Sequence, residues 1–353
     1  MGAAALLALL AGAELLVPAG APLAEALARA LPGDTLRLGP GEHAGGLGRL
    51  AGVTVNGAGA GVTFLLAPPG EDGAITDGDT TLRGLTLVAG PARSALKALA
   101  GAVRLEGVAL VGGAAGLFVD GAQVTGRDLF LEGEYGLLQR SGAVALSGVT
   151  ATGRRAGVAL LRGDLELTRA AVTGPSSEAA VTIGGGTARL GQSVYRAGGP
   201  SGLVVSGGQV VASDLTISGT REVGGVGGDC LLLMRARLTL SSSELVGCGG
   251  ASIEASRAEL LLDGVDAGGG AAGGFIFTDG TRAGLRATLV TGRGPGLVAM
   301  QGAQVRAWQA RAWTDPELWV DCGSGARVEL LDAGGARQPC TPPSATPTPP
   351  PAR

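Results

Sequence analysis

The side chains able to do chemistry in this 353-residue chain are few: one histidine, two tyrosines and four cysteines. His43 follows Pro40-Gly41-Glu42 and is expected to pack at an early turn. A Ser–His–Asp or Cys–His set needs a nucleophile and an orienting group around the imidazole, and no pattern near His43 supplies them. Glu71, Asp72 and Asp77-Gly78-Asp79 gather carboxylates that could hold calcium. They lack the EF-hand spacing, and Asp-Gly is ordinary turn chemistry. Asp120 and Asp279 fall at one recurring turn, where Arg162, Ser206 and Gln301 stand in other segments. A row that changes type so freely reads as solvated surface. Glycine pairs precede no helix, so no phosphate or dinucleotide loop is present. No catalytic residue, metal ligand or cofactor is expected.

One polar–aromatic group stands out. Aligning QVRAWQARAW (304–313) on QVVASDLTIS (209–218) places Arg306, Trp308, Arg311 and Trp313 at outward positions, with Arg286 beside Arg306 in the preceding unit. A guanidinium pairs with a carboxylate, and an indole face lies flat against a sugar ring. The same residues, with Trp319, would equally serve to cover the end of an elongated fold.

These positions depend on a repeat. GLFVDGAQVTGRDLFLEG begins at Gly116, GLLQRSGAVALSGVTATG at Gly136 and GVALLRGDLELTRAAVTG at Gly157. Related segments begin at Gly202, Gly274 and Gly296, with weaker copies near Ala180, Leu231 and Ser252. Each has an apolar alternation, a turn of Gly, Ser, Asp or Arg, a second alternation, and a polar stretch ending in Gly. Alternation turns one side chain in and the next out. A unit of about 20–23 residues cannot bury its inward face alone, but stacked copies can. Residues 34–340 are therefore expected to form 12–14 stacked coils, with glycine at the corners permitting positive φ. The step from Gly202 to Leu231 is too long for one coil, so Arg221–Asp229 should bulge out, solvated by Glu222 and Asp229.

Composition agrees. Gly supplies 66 residues, while Phe, Trp and Tyr supply 5, 3 and 2, which suits a core one side chain deep. The glycine has no collagen period. The single asparagine, Asn56, argues against leucine-rich repeats. A net charge of −3 gives no general attraction to nucleic acid or anionic membrane.

The opening is the most specific stretch. ELLVPAGAPLAEALARALPGDTLRLGPGEHAGG (14–46) reads as a strand, a short helix striped by Leu23, Leu27 and Leu31, a stop at Pro32-Gly33, and a strand with Leu36 and Leu38 before a Pro40-Gly41 turn. With the repeat, this stretch resembles the pectate-lyase-like right-handed parallel β-helix superfamily over residues 14 to about 340. The resemblance implies an all-β, single-stranded, right-handed parallel β-helix, with residues 14–33 as an N-terminal strand and capping helix. It specifies fold and leaves function open, because this architecture serves lyases, hydrolases, epimerases and inert scaffolds.

The ends point to export. Residues 3–13, AAALLALLAGA, form a signal-length apolar run closed by Ala11-Gly12-Ala13, so 1–13 is read as a signal peptide. No later run is long enough to span a bilayer. Residues 341–353 form a Pro-rich tail that cannot pair as strand. Cys230 and Cys248, and likewise Cys322 and Cys340, stand 18 apart, nearly one circuit of a coil. Pairing across the two groups would bridge several coils, so the local disulfides are expected.

Three classes of function follow: a noncatalytic exported scaffold or binding protein contacting extracellular polysaccharide, a polysaccharide lyase, hydrolase or epimerase acting on an acidic glycan, and a receptor-like module attached by its tail. The lack of an acidic row and the scarcity of His and Tyr favour a noncatalytic role, periplasmic, cell-surface or extracellular. Oligomeric state is left open.

Overall fold

A computed structural model of the chain describes residues 12–225, 227–268, 270, 272–291, 295–312, 320–332, 335–337 and 340. The expected leader falls largely outside these residues, and the Pro-rich tail wholly outside them. The chain winds as a parallel β-solenoid of about 14 turns. Each coil adds one rung to the same faces. Face A carries Glu14–Val17, Thr35–Leu38 and Val53–Asn56 at its start, and Arg282–Arg286, Gln304–Trp308 and Arg327–Asp332 at its end. Face B follows within each coil, from Gly41–Ala44 to Arg311–Ala312. Face C closes the circuit, from Gly48–Leu50 to Val320–Cys322.

The in-register stack makes the core. On face A, Leu36 pairs with Val55, Val55 with Leu82, and Leu82 with Leu105, each fully shielded from solvent. Further along, Leu190, Ala212, Leu240, Leu262 and Leu285 continue an inward row. Apolar columns one side chain deep suffice because each is closed above and below by its own kind.

The turn from face A to face B is made by one residue in the left-handed region. Asp128, Arg169, Gln192, Asp214, Ser242, Ala287 and Gln309 take φ of 45–55° there, and glycines such as Gly148 and Gly264 fill it in other coils. The next residue points inward. Where it is serine, the hydroxyl is satisfied locally: Ser193 donates to the Gly191 carbonyl and accepts the Ala170 N–H, and Ser243 treats Ser241 and Leu215 in the same way.

Glycine serves two purposes, where positive φ alone was expected. Gly163, at the turn from face C to face A, does have φ of +98°. The glycines that open the repeats are held by crowding instead: a Cβ on Gly202 would lie 2.1 Å from Ile217 Cγ2 and 2.8 Å from the Cys230 carbonyl.

The helix Leu23–Arg29 forms after Pro22, with Leu23 and Ala26 buried and Leu27 packed partly against the core. Leu31 does not extend this stripe. Ala30 is already extended at ψ 129°, Pro32 restrains the residue before it, and Leu31 is 67 % exposed. At the other end, Gly335–Arg337 folds back antiparallel on Arg327–Asp332, covering a strand edge that would otherwise invite pairing.

The long step after Gly202 is an excursion over 219–225 and 227–228, with Glu222 exposed. Asp229 is not part of its solvated rim. It begins the next strand, is only 6 % exposed, and accepts the Ala251 N–H at 2.6 Å. Asp72 does the same for Ser94, so a carboxylate at this corner completes the backbone ladder of the following coil.

Crowding at Gly202 has a direct consequence. Gly202→Ala should destabilise the fold by about 1–3 kcal/mol, because Ile217 is locked in the core. An unchanged denaturant midpoint would show that the corner relaxes freely.

Candidate functional site

The last coils of face A carry an open groove of about 1400 Å³. Its floor follows from the register. One outward column runs Gln209, Arg237, Glu259, Arg282, Gln304, Arg327. The neighbouring column runs Val211, Thr239, Leu261, Gly284, Arg306, Glu329. Gly284 breaks the second column. A methyl group there would sit 3.3 Å from Leu261 Cδ1 and 3.9 Å from Trp308 Cζ3, so leucine and indole converge over the gap. Leu261 and Trp308 remain 49 % and 38 % exposed, an apolar platform amid charge.

Some of that charge is internally matched. Arg237 Nε lies 2.8 Å from Glu259 Oε2, and Arg306 Nε lies 2.9 Å from Glu329 Oε2. Arg286 reaches Asp263 more loosely, at 3.8 Å. Among the described residues, no carboxylate pairs with Arg282 or Arg327. The turn at 322–329 and Cys340 form the end wall.

The Arg–Trp group expected from the sequence is only partly assembled here. Arg306 and Trp308 share face A. Arg286 does not lie beside Arg306: it pairs in register with Trp308, while Arg306 pairs with Gly284. Arg311 is exposed but belongs to face B, over Leu289, because Gln309 turns the chain at φ 54°. Trp313 lies outside the described residues, as does Trp319. The sequence reading missed Arg282, Gln304, Arg327 and the Gly284 gap. Extending the 209–218 alignment through each coil would have placed them in one column.

Cys230 and Cys248 are joined, with Cα atoms 5.3 Å apart, and so are Cys322 and Cys340, at 5.7 Å. The first bond closes a buried corner beside the excursion, and the second ties Cys340 to the groove's end wall.

Elsewhere the single histidine and one of the two tyrosines face inward, while Tyr135 is half-buried with the Arg155 guanidinium 5.5 Å from its ring centre. His43 is fully buried, its Nε2 3.0 Å from the Gly39 carbonyl oxygen. Tyr195 is fully buried, and desolvation raises its phenol pKa far above the ordinary value. The recurring turn also divides. Through Val205, Leu233, Ala255, Phe277 and Ala299, Ser206 leads to Thr278 and Met300, so Asp279 and Gln301 stand one residue further on. Among the described residues, no group of three or more His, Cys, Asp or Glu is placed to hold a metal ion.

No family model and no curated protein matches the chain. Solved structures do resemble it. The Acinetobacter phage vb_AbaP_AS12 gp42 tailspike shares 10 % identity at a TM-score of 0.44, with 95 % of this chain and 66 % of the tailspike covered. The A-module of the Azotobacter vinelandii mannuronan C-5 epimerase AlgE4 shares 14 % at 0.42, covering 85 % and 89 %. The N-terminal fragment of the bacteriophage Phi29 gene product 12 shares 10 % at 0.48, covering 90 % and 70 %. The parallel β-solenoid is established by the chain's own strand pairing. The likeness is one of fold, and no functional residue is carried over from it.

One carboxyl pair gives the structure a pH signature. Burial raises the pKa of Asp229, and burial raises that of Glu254 too, reinforced by the Asp229 charge and a hydrogen bond to it. Above the ordinary carboxylate range near 4, the folded state therefore retains proton that the unfolded chain has released. Stability falls as pH rises through that window. Glu254→Gln should flatten the fall in melting temperature as pH rises above about 4. Parallel curves for variant and wild type would show that Glu254 does not carry this pH dependence.

Proposed function

We propose that the protein is an exported, noncatalytic β-helix that holds a linear acidic glycan across face A of its last coils. The observation that carries this reading is the Leu261–Gly284–Trp308 platform, bordered by Arg282, Arg306 and Arg327. A pyranose ring has an apolar face that suits an indole, and a sugar carboxylate suits a guanidinium. The inward placement of His43 and Tyr195 supports binding without turnover. Arg311, on the adjoining face B, is assigned a supporting role, and Trp313 is kept as a candidate from the sequence alone.

Two disulfides fit an oxidising compartment, and no helix among the described residues is long and apolar enough to cross a membrane. Residues 1–13 are assigned as an export leader, 34–340 as the solenoid and 341–353 as a Pro-rich tail. The coil is taken as right-handed, as nearly all parallel strand–connection–strand circuits are, with Leu23–Arg29 covering its first coil.

Trp308→Ala should weaken binding of an oligogalacturonate by about 1 kcal/mol, roughly fivefold, without changing the fold. Calorimetry on the full chain measures this. Equal affinity in variant and wild type, or release of unsaturated sugar during incubation, would count against a noncatalytic site on this platform.

A further inference from the structure

We infer that the groove selects a glycan in which acidic and neutral sugars alternate. This rests on the reading of face A as an acidic-glycan site and adds the spacing of the charges. Arg282, Gln304 and Arg327 stand directly above one another, one per coil. Coils rise about 4.8 Å, so the two guanidinium positions lie about 9.6 Å apart along the solenoid axis. Neither arginine pairs with a carboxylate among the described residues, unlike Arg237 and Arg306, which do. The column thus offers cation, neutral amide, cation.

A sugar unit in an extended pyranose chain is about as long as one coil rise. A glycan lying along the axis therefore meets one rung per sugar. Carboxylates on alternate sugars fall opposite Arg282 and Arg327, and the sugar between them meets Gln304, which both donates and accepts hydrogen bonds. A third carboxylate opposite Gln304 would find no cation in the column. The guanidinium beside Gln304 on the same strand, Arg306, is already paired with Glu329 at 2.9 Å. A homopolymer of uronic acid places a charge there, and an alternating polymer does not.

The test compares a hyaluronan oligosaccharide with an oligogalacturonate of equal length, on wild type and on two variants of the full chain. Wild type should bind the alternating glycan about fivefold more tightly, the scale of one exposed ion pair. Gln304→Arg, which adds the missing cation, should abolish or reverse that preference. Arg282→Gln with Arg327→Gln should weaken the alternating glycan most. These are exposed surface positions, and circular dichroism checks that each variant retains its fold. A wild type that binds both glycans equally, with Gln304→Arg leaving their ratio unchanged, would overturn the alternation while leaving the glycan-binding site standing. Binding of neither glycan would overturn the site itself, and the alternation with it.

Discussion

In-register stacking of parallel coils is the constraint from which the rest of this molecule follows. A side chain's environment is set less by its sequence neighbours than by the residues one coil before and after. This explains why the core needs so few aromatics. Leu82 touches Val55 and Leu105 above and below, and the column is sealed without any large ring crossing the interior. It also explains the small residues at the corners. Gly202 has no room for a methyl group because the Ile217 side chain of the same circuit already occupies that space.

Stacking converts sequence spacing into surface pattern. Residues about 22 apart become neighbours on one face, so a groove can be composed from single residues of successive coils. Arg282, Gln304 and Arg327 share no local motif, yet they form one column. One disulfide lies beside the excursion that begins at Gly219, the other at the final coil. The antiparallel return of Gly335–Arg337 completes that end by occupying a free strand edge.

Much of this is legible in the sequence because repetition is a strong signal. The coil length, the long step after Gly202 and both cysteine pairings follow from counting residues around a circuit. What counting misses is the phase at each corner. The A-to-B turn uses a single left-handed residue, and Arg169, Gln192 and Gln309 can fill it as well as glycine. No residue type marks it, so Arg311 looked like a groove neighbour of Trp308 although Gln309 turns it onto another face. A shift of two residues along the strand likewise moved Arg286 from Arg306 to Trp308. Asp229 was misjudged for a related reason. A carboxylate next to a glycine-rich excursion resembles a loop residue, but here it accepts a backbone N–H of the next coil.

The central claim is that register builds the face A column, and a distance measured along that column tests it most directly. All four native cysteines are disulfide-bonded, so nitroxides on Arg237→Cys and Arg327→Cys would label the column alone. Four coils separate these positions, through Glu259, Arg282 and Gln304. Pulsed electron paramagnetic resonance should find one narrow distance distribution near about 19 Å, four coil rises, allowing for the label arms. A broad distribution, or a distance far longer than this, would contradict the stacked register and the binding surface derived from it.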